Sequence, residues 1–130
     1  MTNDSEDTSR QTECPPSDAS DVNSEVYRCC KNDPPEEREM QTAEEQERLL
    51  DADPCLRRAL SVFLLEEDAT HQIRLFRRWK KKFIAKAQLS SQHGKAKATG
   101  KPTHTSWWPA DSLTTLDRAE LFTVVCEVEQ

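Results

Sequence analysis

The large apolar residues of this chain are concentrated in its second half. Seven of the eight aromatic residues follow position 55, and only Tyr27 precedes it. Residues 1–35 contain two Pro-Pro pairs, which begin at Pro15 and Pro34, and their few apolar residues follow no period. Such a composition buries too little apolar surface to form a core, so we expect residues 1–35 to be disordered.

From position 54 onward, apolar residues recur at helical spacing. The first such residues are Leu56, Leu60, Phe63 and Leu64. Asp53 suits the N-cap position of a helix and Pro54 its first turn, and no Gly or Pro interrupts residues 55–93. The acidic patch at 66–68 interrupts the apolar face, which predicts a break at 66–70 between two helices.

These patterns predict a mainly α protein: a small helical hairpin with a disordered acidic N-terminal region and a short C-terminal helix or strand. The predicted regions are the disordered region 1–35, an acidic solvated helix 36–53, a hairpin 54–89 made of helices 54–66 and 70–89, a flexible basic linker 90–106 and a C-terminal apolar segment 107–130. In the last segment, residues 113–121 predict a short helix capped by Asp111 and Ser112. Residues 122–129 alternate and contain several valines, which suits a strand, although a continued helix is the alternative.

The charges fall into three blocks. Residues 1–54 hold 16 Asp and Glu against 5 Lys and Arg, a net charge of -11. Residues 55–103 hold 3 against 12, a net +9, and residues 104–130 hold 5 against 1, a net -4. The central block is therefore basic enough to bind an acidic partner despite the overall charge of -6. We expect the acidic N-terminal block to compete weakly for it in a salt-sensitive way.

The predicted helix 70–89 is amphipathic and basic. Ile73, Phe76 and Phe83 fall on one side at 100° per residue, with Trp79 beside them, and arginines and lysines cover the opposite side. The candidate partner-binding residues are Ile73, Phe76, Arg77, Arg78, Trp79, Lys80, Lys81, Lys82, Phe83, Ile84 and Leu89. Such a helix serves to bind the groove of an acidic protein, an anionic membrane surface or phosphates, or to act as a nuclear import signal.

Residues 77–85, which read Arg-Arg-Trp-Lys-Lys-Lys-Phe-Ile-Ala, resemble the calmodulin-binding helix of skeletal muscle myosin light chain kinase. The resemblance implies that Trp79 is an anchor gripped by one lobe of calmodulin. The second anchor of that family stands thirteen positions later, where this chain has Gln92, so the pair is lost in that register. Phe76, Phe83 and Leu89 restore a comparable spacing in a shifted register.

Other interpretations of the same residues stay open. The aromatic side chains of helix 70–89 would pack on Leu56 and Leu60 as the core of the hairpin, with the cations solvated. A nuclear regulatory or nucleic-acid-associated factor would use the same basic block. The tail from Trp107 to Val125 is similar to the end of melanoregulin, which implies an organelle-trafficking adaptor.

No pattern for metal or catalytic chemistry is visible. The five cysteines lack zinc spacing, and we expect all five to be reduced thiols. No local Ser, His and Asp spacing places a base on a nucleophile, so we expect no enzyme and no cofactor. The chain has no signal-peptide pattern and no apolar run long enough for a transmembrane segment. We therefore expect a non-enzymatic regulatory or adaptor protein, cytoplasmic and/or nuclear, that binds an acidic partner such as calmodulin.

Overall fold

A computed structural model describes residues 13–129 and shows a mainly β fold. Within that range the strands are β1 (Ser20–Asp21), β2 (Ser24–Cys30), β3 (Leu60–Phe63), β4 (Phe83–Leu89), β5 (Gly94–Ala98), β6 (His104–Pro109) and β7 (Thr123–Glu127). They form one antiparallel sheet in the order β1-β5-β6-β3-β2-β4-β7. The longest pairing joins β2 and β4 over seven consecutive residue pairs.

Two short α-helices pack against this sheet. Helix α1 spans Glu66–Leu75 and helix α2 spans Thr115–Glu120. Helix α2 begins at a capping box in which the Asp117 amide donates to Thr114 Oγ1 and the Thr114 amide donates to the Asp117 carboxylate, both at 3.0 Å. Single 3-10 turns lie at Glu37–Met40, Leu56–Arg58, Arg77–Trp79 and Ser91–His93.

The core lies on both faces of the sheet because strand side chains alternate between them. One face carries the larger cluster, in which Met40 and Ala119 bring the 3-10 turn of 37–40 and helix α2 onto the strands. Its strand members include Val26, Leu60, Val62, Ala87, Leu89 and Trp107. The other face is covered by α1, whose Ala69 and Ile73 pack with Cys29, Phe63, Ile84 and Val128.

The predicted mainly α fold is therefore wrong, and the clearest difference lies in the predicted helix 70–89. Helix α1 ends at Leu75, one 3-10 turn follows, and residues 83–89 form a strand. Helix propensities differ by only a few tenths of a kcal/mol per residue among ordinary side chains. Burying Ile84 and Leu89 contributes about 1.5–3 kcal/mol each, so pairing with β2 decides the conformation.

Other predicted elements also differ from the structure. Residues 54–66 contain a 3-10 turn and strand β3 instead of a helix, and residues 90–106, predicted as a flexible linker, contain β5 and the start of β6. Residues 36–53, predicted as a solvated helix, contain one 3-10 turn followed by other turns. Of the region 1–35 predicted as disordered, residues 1–12 lie outside the described part, and the remainder supplies β1 and β2.

The C-terminal segment agrees more closely with its pattern. A short helix lies within 113–121, although its cap is Thr114 instead of Asp111 or Ser112. Of the two conformations considered for 122–129, the structure has the strand, β7. In the described residues, no helix has the length and apolarity needed to span a bilayer.

A disulfide joins Cys14 to Cys55, so the expectation of five reduced cysteines is wrong for this pair. Cys29, Cys30 and Cys126 are free thiols. The spacing of cysteines along the sequence does not predict this disulfide, because 41 positions separate the two residues. The same region is tied to the sheet by Trp108, whose indole N–H donates to the Cys55 carbonyl at 2.9 Å.

Candidate partner-binding site

Residues 76–82, which we call the basic loop, connect α1 to β4. The amide of Trp79 donates to the Phe76 carbonyl at 3.0 Å, and the amide of Lys80 donates to the Arg77 carbonyl at 2.9 Å. Lys80 takes the left-handed conformation, φ 59°, which ends the 3-10 turn. The loop then joins the sheet where the Lys82 amide donates to the Cys30 carbonyl at 3.0 Å. These bonds hold the loop in a defined turn.

A stacked aromatic pair lies on the basic loop, with Trp79 exposed and Phe76 partly buried. The rings of Phe76 and Trp79 are stacked with centroids 4.2 Å apart and planes 9° from parallel. Trp79 keeps 41% of its surface exposed and the neighbouring Leu75 keeps 60%. By contrast, Trp107 and Trp108 are buried in the sheet. The loop thus presents apolar surface that the fold does not cover.

Most of the exposed cations around this pair are outside the ion pairs of the described residues. Among residues 13–129, no ion pair is formed by Arg74, Arg77, Arg78, Lys80 or Lys82. Elsewhere in the basic block, four cations are paired with carboxylates of the N-terminal block, as Arg58–Glu44, Lys86–Glu25, Lys95–Asp21 and Lys97–Asp18. The fold therefore neutralises part of the basic block and leaves a positive surface at the basic loop.

Lys81 differs from the other loop lysines because it is half-buried. Burial lowers the pKa of its ammonium, and the nearby Arg28 guanidinium adds to that effect. Its Nζ also lies 5.8 Å from the centroid of the Trp79 ring, a cation–π contact. Lys82 makes a similar contact with Phe83 at 5.3 Å. Trp79 on the loop and Phe83 at the start of β4 thus each contact a lysine of the same chain.

The structure divides the candidate residues into an exposed group and a buried group. Phe76 and the five candidate cations lie with Trp79 on the basic loop. Ile73, Ile84 and Leu89 are buried, on α1 and β4, and Phe83 packs against the larger core cluster. The predicted amphipathic helix is therefore wrong. Some of its apolar residues lie in the core and others lie on the basic loop. The structure does not bring Phe76, Phe83 and Leu89 onto one exposed face.

Comparison of the chain with protein-family models, with curated proteins and with solved structures finds no match. The resemblances to the calmodulin-binding helix and to melanoregulin therefore stay predictions. Among residues 13–129, no group of three or more His, Cys, Asp and Glu side chains is arranged to hold a metal ion.

Proposed function

We propose that this chain is a regulatory or adaptor protein that binds an acidic protein partner through the basic loop, with calcium-loaded calmodulin as the candidate partner. The observation that carries the proposal is the stacked Phe76–Trp79 pair, whose tryptophan is 41% exposed. Four neighbouring cations form no ion pair among residues 13–129: Arg77, Arg78, Lys80 and Lys82. Aromatic and arginine side chains supply most of the binding energy at protein interfaces. A partner with apolar clefts edged by carboxylates complements both features.

A protein partner suits this geometry better than a nucleic acid. Single-stranded nucleic acids bind by stacking bases on open aromatic faces. One face of the Trp79 ring is occupied by Phe76, and the Lys81 ammonium lies 5.8 Å from its centroid. A nucleobase would have to displace one of these contacts, whereas an apolar side chain can reach the exposed part of the ring without doing so.

The binding mode also differs from that of a calmodulin-binding helix. A partner that wrapped residues 70–92 as a helix would have to extract Ile84 and Leu89 from the core, at a cost of several kcal/mol. We therefore propose that the partner contacts the folded basic loop. An isolated peptide of residues 70–92 would bind calmodulin more tightly than the folded chain does, because the peptide has no core to lose.

Fluorescence titration of the full chain with calcium-loaded calmodulin tests the proposal. Trp79→Ala and Arg77→Glu should each weaken binding by about 1–3 kcal/mol, because both remove contacts of the exposed loop. Lys101→Glu is the control for Arg77→Glu, since it makes the same charge change at an exposed cation outside the basic loop. Equal affinities for all four proteins would contradict the proposal. Binding of a single-stranded oligonucleotide in place of calmodulin would support the nucleic-acid alternative.

A further inference from the structure

A second group of polar side chains surrounds His104 at the start of β6. The Nε2 atom of His104 lies 3.0 Å from the hydroxyl oxygen of Ser61, which belongs to the adjacent strand β3. Its Nδ1 atom lies 3.1 Å from Thr99 Oγ1, and Thr99 Oγ1 lies 2.8 Å from Ser106 Oγ. These contacts connect four side chains in an unbroken hydrogen-bonded chain that ends on an exposed serine.

The imidazole ring is held in place by further contacts. Phe63 meets it edge to face, with centroids 5.5 Å apart and planes at 77°. Gly100 lies against the ring so closely that a Cβ there would stand 3.0 Å from His104 Cβ and 3.3 Å from Nδ1. The amides of Thr99 and Gly100 both donate to the His104 carbonyl, at 3.1 and 3.2 Å. The ring orientation relative to Ser61 is therefore fixed by the fold.

The protonation state of His104 suits a base. Burial lowers the pKa of its imidazole below the usual 6.5, so the ring is neutral at pH 7. A neutral ring has one donor and one acceptor nitrogen. With the proton on Nδ1, the ring donates to Thr99, Thr99 donates to Ser106, and Nε2 is left to accept the hydroxyl proton of Ser61. Each polar side-chain atom of these four residues then has a hydrogen-bond partner.

A cleft of about 220 Å³ lies beside this group. Polar side chains of Ser61, Thr99, His104 and Ser106 line one part, and Leu56, Ala59 and Leu60 line the other. The cleft is smaller than the roughly 300–1,000 Å³ of most ligand pockets, so it suits only a small substrate, and its apolar residues favour a short hydrocarbon group. The exposed hydroxyl of Ser61 is therefore accessible from the cleft.

We propose that Ser61 is a nucleophile and His104 its general base, acting on small esters of apolar carboxylic acids. Ser61 Oγ attacks the acyl carbon and forms a new C–O bond while its proton passes to His104 Nε2. The bond to the leaving alkoxide breaks, and that oxygen takes the proton from His104. Water then releases the acid by the same steps, which restores the Ser61 hydroxyl. Gly100 and Thr99 are positioning residues for the base.

The proposed activity is separate from partner binding by the basic loop, and it differs from the expectation of no enzyme, which stays a prediction. The sequence does not show the site because 43 positions separate Ser61 from His104. Only the pairing of β3 with β6 brings them together.

Labelling of the full chain with an alkyl fluorophosphonate tests the proposal, because the serine oxygen displaces fluoride and the adduct is stable to mass spectrometry. We expect one adduct on Ser61, no adduct on that peptide in Ser61→Ala, and unchanged labelling in Ser112→Ala, an exposed control serine. His104→Gln should label at least about a hundredfold more slowly, as the loss of a general base does. With p-nitrophenyl butyrate, only chains that retain Ser61 should release p-nitrophenolate above the background rate.

Gly100→Ala gives a milder variant in case His104→Gln fails to fold. The added methyl group displaces the ring by a few tenths of an ångström, so labelling should slow several-fold while circular dichroism and thermal unfolding match those of the unaltered chain. Labelling of Ser61 no faster than that of Ser112 would overturn the proposal. An unchanged labelling rate in a folded His104→Gln or Gly100→Ala variant would also overturn it, because His104 would then only tie β3 to β6.

Discussion

Lys80 turns the basic loop back toward the sheet. A residue with a Cβ in the left-handed region is disfavoured by about 1–2 kcal/mol, and Lys80 holds that conformation while remaining exposed. A glycine would form the same turn without this cost but would carry no charge. The lysine adds one more cation next to Trp79 in the loop, at some cost in stability.

Replacing Lys80 separates the effect of its strained backbone from the effect of its charge. Lys80→Gly should raise the free energy of unfolding by up to about 1 kcal/mol, because the left-handed turn is then unstrained. Lys80→Ala is the matched control, since it loses the same charge but keeps the Cβ and the strain. Chemical denaturation measures the difference. Both variants should weaken calmodulin binding to a similar extent, and a glycine variant no more stable than the alanine variant would contradict the account of the turn.

Among the secondary-structure elements, an ion pair between the buried Arg118 and the exposed Glu45 attaches α2 to the segment that follows β2. Arg118 Nη1 donates to the Glu45 carboxylate at 2.7 Å and to the Met40 carbonyl at 2.9 Å. Met40 is fully buried and Arg118 nearly so. This contact holds an irregular stretch of acidic residues on the sheet, where a free-standing helix over 36–53 would have had almost no apolar face to bury.

Breaking this contact should destabilise the fold. Arg118→Met keeps an apolar stem but leaves the Met40 carbonyl without its donor, at an expected cost of about 1–3 kcal/mol. Arg38→Met is the control, since Arg38 is highly exposed and its ion pair with Glu36 contributes less than about 1 kcal/mol. Urea unfolding compares the two variants. Equal stabilities would show that α2 does not depend on this bond.

Because of the ion pair between Arg118 and Glu45, we expect the free energy of unfolding to depend on pH. Burial disfavours the charge of Glu45, but hydrogen bonds from Arg118 and Thr42 outweigh that effect and hold its pKa below the usual 4.5. A lowered carboxylate pKa adds stability above the unfolded-state pKa, and the gain is lost as pH falls through the folded-state pKa. The stability difference between the unaltered chain and Arg118→Met should therefore shrink below about pH 4.5. A difference that is constant down to pH 3 would contradict this assignment.

The sequence predicts an element well where local pattern determines its conformation, and poorly where tertiary pairing does. The short helix within 113–121 was predicted from its local pattern, although its cap is Thr114 instead of Asp111 or Ser112, and the alternation of 122–129 left a strand and a continued helix both open. Residues 83–89 were not predicted as a strand, because Ala85, Lys86 and Ala87 favour a helix and only pairing with β2 overrides them. The cations and Trp79 of the basic loop were identified from composition, whereas the burial of Ile73 and Ile84 depends on the tertiary fold.

At the scale of the whole molecule, the charge blocks pair with one another across the sheet. The sequence suggested a disordered acidic region competing for a basic helix, yet Asp18, Asp21 and Glu25 lie on or beside strands and pair with lysines of β4 and β5. These exposed pairs each contribute less than about 1 kcal/mol. Their larger effect is on the distribution of charge, because among residues 13–129 they leave the cations of the basic loop outside these pairs, at the surface where we propose that a partner binds.

Residues 83–89 form a strand, and this strand leaves residues 76–82 as a loop at the surface. Backbone chemical shifts of the full chain in solution test this arrangement most directly, together with nuclear Overhauser contacts across the β2–β4 pairing. We expect helical shifts over Glu66–Leu75 and extended shifts over Phe83–Leu89. We also expect contacts between the cross-strand neighbours Tyr27 and Lys86. Continuous helical shifts from 70 to 89 without those contacts would contradict it and restore the amphipathic helix.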